Sequence, residues 1–136
     1  MRGSEATGIV VAGEESVRLL LRALLRLNHF WVEGEATGVE QALKLVRDHH
    51  PQVMLVDVNL AQGTWPVLVT YARAIVPGLR VVLTATATHP PAPRLDEPER
   101  PDAILLRPFR INEFAEAVLP RAIKKDSRSP QDTSSW

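Results

Sequence analysis

"IVVAGEESVRLLL" (residues 9–21) is the stretch on which the reading of the whole chain turns. With Gly8 it begins as "GIVVA", a continuous apolar run of strand length, rich in β-branched residues. Val17, Leu20, Leu21, Leu24 and Leu25 then recur at helical spacing, with Arg18, Arg22 and Arg26 on another face. A buried strand that turns sharply into an amphipathic helix is the opening unit of an open α/β sheet. In such sheets ligands and catalytic carboxylates gather at that turn. Here the turn holds Ala12 and Gly13, with Glu14 and Glu15 only afterwards.

The same alternation continues along the chain. "HFWVEGEA" reads as a second strand, more polar and therefore at a sheet edge. Thr37, Gly38, Val39 and Glu40 have capping-box spacing ahead of Val39, Ala42, Leu43 and Val46 on one helical face. "QVMLVDV" is a third strand, uniformly apolar up to Asp57, as a central parallel strand buried on both faces must be. Thr64 reads as an N-cap and Pro66 as a first-turn proline, with Leu68, Ala72 and Ile75 on the apolar face and Gly78 as the stop. "RVVLTATA" and "DAILL" supply strands four and five. Ile111, Phe114, Ala115 and Val118 begin a last helix that Pro120 kinks or ends. Repeated strand–helix units imply a mainly parallel, doubly wound sheet with right-handed crossovers.

One segment departs from the rhythm. "THPPAPRLDEPERP", between strands four and five, carries five prolines and scarcely any apolar residue. Interior prolines cost a helix about 3 kcal/mol each, so an extended, solvated loop or a disordered one replaces the helix expected there. Proteolysis is expected to cut first between His89 and Arg100. The polar tail from residue 124 to 136 is expected to be disordered, Trp136 included.

Composition narrows the function. A chain of 136 residues that is 45% apolar holds one domain with a real core, and no cysteine excludes disulfide scaffolds, thiolate zinc sites and thiol nucleophiles. No apolar run reaches the roughly 20 residues needed to span a membrane, and no h-region marks a signal peptide. The expectation is a cytoplasmic protein with no membrane association. Sixteen basic against sixteen acidic residues, with no basic stripe, argue against nucleic-acid binding.

In a parallel sheet the carboxyl ends of the strands share one edge, which brings Ala12 and Gly13, Asp57, Thr84 and Arg107 together. A carboxylate, a hydroxyl and a cation converging there make a phosphate or metal pocket. Taken singly, each has an ordinary reading as well: Asp57 as a turn residue, Thr84 as a strand threonine, Arg107 as a surface charge. His29, His49, His50 and His89 lie at turn or loop positions and read as solvent-facing. No second acid or base for a conventional enzyme is visible near the strand ends.

The order of the motifs settles which reading is followed. Over residues 8 to 122 the chain resembles the receiver domain of bacterial two-component response regulators. The matching pieces are "SVRLLL", "GEATGVEQAL", "MLVDVNL", "VVLTATA" and "LLRPF". The resemblance implies a flavodoxin-like α/β fold, a five-stranded parallel sheet in the order 2-1-3-4-5, over a domain at 7–123. It places Asp57 as phosphoacceptor, Thr84 as the switch hydroxyl and Arg107 where the family has a phosphate-contacting lysine, followed by Pro108 as a structural residue. It also implies Mg²⁺, held by the phosphoacceptor and an acidic pair after strand one, and a histidine kinase or a downstream signalling protein as partner.

Three positions depart from the family. With Arg18 setting the register, Ala12 and Gly13 occupy the acidic-pair positions, leaving Glu14, Asp57 and the Asn59 backbone as the possible metal ligands. Lysine has become Arg107, whose planar fork is not equivalent to an ammonium. The fourth helix of the family is replaced by the Pro-rich loop. The expected function is a pseudo-receiver, a signalling interaction module that is not an enzyme, with weak or no Mg²⁺-dependent phosphorylation. The alternatives are a functional phosphoacceptor that a histidine kinase phosphorylates on Asp57, and a sensor of a small anion or metabolite near Thr84 and Arg107. Oligomeric state stays open.

Overall fold

The structure of the protein, a computed structural model, describes residues 6–60, 63–86 and 100–119. The loop expected between strands four and five up to residue 99, where its cleavage site and His89 fall, the tail and the end of the domain at 123 lie outside these residues. Nine elements follow in the order β1 (Ala6–Val11), α1 (Glu15–Leu27), β2 (Phe30–Ala36), α2 (Val39–His49), β3 (Val53–Asp57), α3 (Trp65–Ile75), β4 (Arg80–Thr86), β5 (Ala103–Arg107) and α4 (Ile111–Val118). All four pairings are parallel and the strand order is β2-β1-β3-β4-β5, as the resemblance implies.

Side chains of successive strand residues point to opposite faces, so each buried strand feeds two cores. Ile9, Val11, Met54, Val56, Val81 and Leu83 face α2 and α3, where Val46, Trp65, Leu68 and Ala72 close over them. Val10, Leu55, Val82 and Leu105 face α1 and α4, against Leu21, Leu25 and Phe114. β3 is buried along its whole length, which is why its sequence does not alternate. β2 lies at the sheet edge with Trp31 exposed, in keeping with its more polar sequence.

Several local expectations are corrected. Leu20 is 43% exposed; the buried face of α1 is Val17, Leu21, Leu24 and Leu25. No capping box forms at Thr37, because the N-cap of α2 is Gly38 and Gln41 Oε1 instead accepts from both the N–H and the hydroxyl of Thr37. Thr64 is the N-cap of α3 by position but makes no side-chain cap. That helix stops at Ile75, with extended Val76 as C-cap before Pro77; the steric demand of a proline on its predecessor ends it, not Gly78. Ile111, expected on the buried face of the last helix, is 66% exposed, and Phe114, Ala117 and Val118 carry that face. His49 is the last residue of α2 rather than a loop residue, and its Nδ1 stands 3.8 Å from Glu33 Oε1. His29, His49 and His50 are exposed as expected, His29 and His50 with positive φ.

Two glycines are dictated by close approach. A Cβ on Gly8 would lie 2.8 Å from Val53 Cγ1, and one on Gly34 2.7 Å from Leu45 Cδ2. Gly34 follows a bulge in which Glu33 has no β1 partner, since Val32 pairs with Gly8 and Gly34 with Ile9. The bulge bends the edge strand and lets α2 seat directly on Gly34.

Candidate functional site at the carboxyl edge of the sheet

Asp57 is the last residue of β3, Thr84 sits opposite it in β4, and Arg107 is the last residue of β5. The parallel register therefore brings together three residues widely separated in sequence. Thr84 Oγ1 donates to Asp57 Oδ1 at 2.9 Å, and Arg107 Nη1 donates to the same oxygen at 2.7 Å. Arg107 Nη1 also lies 3.2 Å from Thr84 Oγ1. The second carboxylate oxygen, Oδ2, accepts from the Asn59 backbone N–H at 3.2 Å. The Val58 N–H, bonded to Thr84 O at 2.8 Å, ties the loop after β3 to β4.

Burial makes this arrangement matter. Asp57 is 3% and Thr84 0% exposed, and they are the two buried polar residues among those described. A carboxylate withdrawn from water is costly unless it is paired and hydrogen-bonded. Arg107, its side chain 18% exposed, supplies the counter-charge. A charge-assisted bond of this kind is roughly twice as strong as a neutral one. The pair as a whole carries no net charge.

The β1–α1 turn sits differently. Ala12 is fully buried in the core under α1, and its N–H bonds Ala36 O, while Gly13 is exposed with open space where a Cβ would stand. Glu14 is the exposed N-cap of α1 and makes no side-chain cap; the Glu14 O accepts the first-turn N–H of Arg18. Arg18 Nη1 donates to both turn carbonyls, Ala12 O at 2.9 Å and Gly13 O at 3.2 Å. Arg18 and Arg22 converge on Glu35, at the end of β2. The sequence places these arginines only on the face of the helix away from its leucines and does not reveal this bracket of two arginines on one carboxylate. Their i, i+4 spacing beside a β2 glutamate is the signal that could have found it.

As a magnesium site the corner is short of ligands. Mg²⁺ takes hard oxygen donors in near-octahedral geometry, commonly one or two carboxylates with waters and phosphate. Asp57 Oδ1 is already engaged by two donors, the Ala12 and Gly13 positions offer no side-chain oxygen, and their carbonyls face a guanidinium. Among the described residues no group of three or more His, Asp or Glu is arranged to hold a metal ion.

Beyond the site, the Arg107–Pro108 peptide is cis and Phe109 stacks on Phe114 with ring centroids 5.9 Å apart. Trp65 is 4% exposed, in the cluster that also holds Val56 and Leu83, the chain neighbours of Asp57 and Thr84. No described helix is long and apolar enough to cross a membrane.

No protein-family model matches the sequence, and no curated relative does. Solved structures do. The receiver domain of AraT, a response regulator from Geobacillus stearothermophilus, is 21% identical at a TM-score of 0.67, over 93% of this chain and 98% of that one. The signal receiver domain of the NarL response regulator from Mycobacterium tuberculosis is 22% identical at 0.68, over 91% and 98%. The receiver domain of a modulated diguanylate cyclase from Desulfovibrio desulfuricans G20 is 18% identical at 0.70, over 90% and 96%. The chain has the fold of a response-regulator receiver domain.

Proposed function

We propose that this protein is a receiver-type signalling module of a two-component pathway whose phosphorylation corner is self-neutralised. It acts by contact with a partner, a histidine kinase or a downstream protein, and its Mg²⁺-dependent phosphorylation is weak or absent. The observation that carries this reading is the 2.7 Å pair between Arg107 and Asp57 in a corner where Ala12 and Gly13 replace carboxylates. Receiver chemistry needs surplus negative charge to gather a divalent cation, which then offsets the charge of the incoming phosphoryl group. Here the surplus is absent, because the one buried carboxylate is balanced by a guanidinium. The same balance counts against an anion sensor, since the positive charge of Arg107 is spent on Asp57.

A second reading has one observation in its favour. Asp57 Oδ2 holds a single backbone hydrogen bond, so it is the freer oxygen and the nucleophile if the chain is phosphorylated on Asp57. Glu14 is the acidic residue nearest in sequence to the empty positions and would have to reach back to the ion.

The test is a Mg²⁺ titration with and without beryllofluoride, a phosphoryl mimic, read by Trp65 fluorescence in a background lacking Trp31 and Trp136. No response from a folded protein is the expected result. A saturable, low-millimolar response that disappears in Asp57→Asn overturns the proposal in favour of the phosphoacceptor. Stabilisation by phosphate without Mg²⁺, abolished in Arg107→Ala, would favour the sensor.

A further inference from the structure

Among the described residues the sheet ends at β5, and that outer edge offers a second site. β5 is the terminal strand, and the Asp102 N–H bonds Val81 O at 2.7 Å. Hydrogen bonding along a parallel pair repeats every second residue, so Asp102, Ile104 and Leu106 address β4. Ala103, Leu105 and Arg107 therefore turn their backbone N–H and C=O groups toward the open edge. An edge of unpaired backbone groups is a template for another strand.

The two faces beside that edge differ in chemistry. On the α3 face Ile104 and Leu106 are 47% and 48% exposed, an apolar stripe uncovered by any described helix. On the α4 face runs a groove of about 580 Å³ with Glu113 and Glu116 on its wall. Of the other charges in the groove, Asp102 pairs with Arg73 at 2.7 Å, while Arg80, whose Nε donates to Ala117 O on the groove wall, brings one positive charge. Glu113, whose Oε1 accepts the Arg110 N–H at 2.8 Å, and Glu116 have no ion pair among the described residues; two glutamates against Arg80 leave the groove with a net negative charge.

We infer that β5 accepts an extended partner segment as a sixth strand, one in which lysine or arginine alternates with valine, isoleucine or leucine. Strand side chains alternate between faces, so the apolar set extends the Ile104–Leu106 stripe while the basic set meets Glu113 and Glu116. Main-chain bonds to Ala103, Leu105 and Arg107 supply the register. The inference rests on the interaction-module reading but fails separately from it. Beryllofluoride binding at Asp57 would remove that reading and leave strand addition at β5 to be judged by its own experiment.

That experiment adds a blocked hexapeptide of alternating lysine and valine to the full chain and follows amide exchange by NMR. Slowed exchange at Ala103, Leu105 and Arg107 is expected, with binding weakened severalfold by salt and by Glu116→Lys. Glu116→Lys is exposed on α4 and leaves the core intact, so its effect is not one of unfolding. A peptide alternating glutamate and valine should not bind. Equal binding of an edge-N-methylated lysine–valine peptide would overturn strand addition, because that peptide keeps every charge but cannot pair. Full protection of the three amides in the chain alone would overturn it too, by showing the edge already covered.

Discussion

Arg107 Nη1 stands 2.7 Å from Asp57 Oδ1, and the pair joins the last residue of β5 to the last residue of β3 across Thr84 of the strand between them. Three parallel strands are thereby tied at one edge by a single carboxylate oxygen. The corner at which the resemblance to receiver domains implies a bound cation is held together by a cation of its own.

Removing that cation should destabilise the fold. Arg107→Met leaves Asp57 buried with Thr84 and the Asn59 N–H as its only partners among the described residues. A fully buried pair broken in this way costs about 3–5 kcal/mol; with Arg107 18% exposed, we expect about 2–3 kcal/mol. Arg107→Lys keeps the charge and should lose about 1 kcal/mol. Urea denaturation of the two variants checks the order, and equal losses would show that packing of the side chain, not its charge, matters.

A carboxylate can be returned to one turn position but not the other. At Gly13 a Cβ meets nothing within 4 Å, whereas Ala12 is fully buried in the core under α1. Gly13→Asp should fold normally and gain saturable Mg²⁺ binding by calorimetry. Ala12→Asp should lose roughly 2–4 kcal/mol, because it buries a carboxyl among apolar side chains.

The two crowded glycines should respond differently. A Cβ at Gly8 meets Val53 Cγ1, a stiff β-branched group inside the sheet, while at Gly34 it meets the end of the flexible Leu45 side chain. Gly8→Ala should cost about 2–3 kcal/mol and Gly34→Ala about 1 kcal/mol or less. Leu45→Val combined with Gly34→Ala should show positive coupling in a double-mutant cycle.

α4 has eight residues and holds to the sheet chiefly through Phe114, fully buried between β strands and α1 side chains. Phe114→Ala should cost about 3–5 kcal/mol. Loss of the α4 resonances before global unfolding, followed by NMR in urea, would show that this helix detaches first; one concerted transition would show that it does not.

Much of the fold was legible in the chain, because burial writes itself into sequence. "QVMLVDV" is apolar throughout since β3 is covered on both faces, and "HFWVEGEA" is mixed since β2 lies at an edge. The meeting of Asp57, Thr84 and Arg107 also followed from sequence, because parallel strands must end on the same side of a sheet. The loss of carboxylates at Ala12 and Gly13 is a statement about residue identity and needed no coordinates.

Tertiary structure alone decided how those groups are partnered. Sequence could not tell that Arg107 neutralises Asp57, that Arg18 turns from the helix surface to the carbonyls of Ala12 and Gly13, or that Leu20 points to water. Nor could it tell that Thr37 prefers Gln41 to a capping box, or that Glu33 is the bulged residue. Periodicity determines which face of an element is buried, because burial averages over many residues. The partner of a particular long or polar side chain depends on rotamer and on neighbours distant along the chain, so it exists only once the elements are packed.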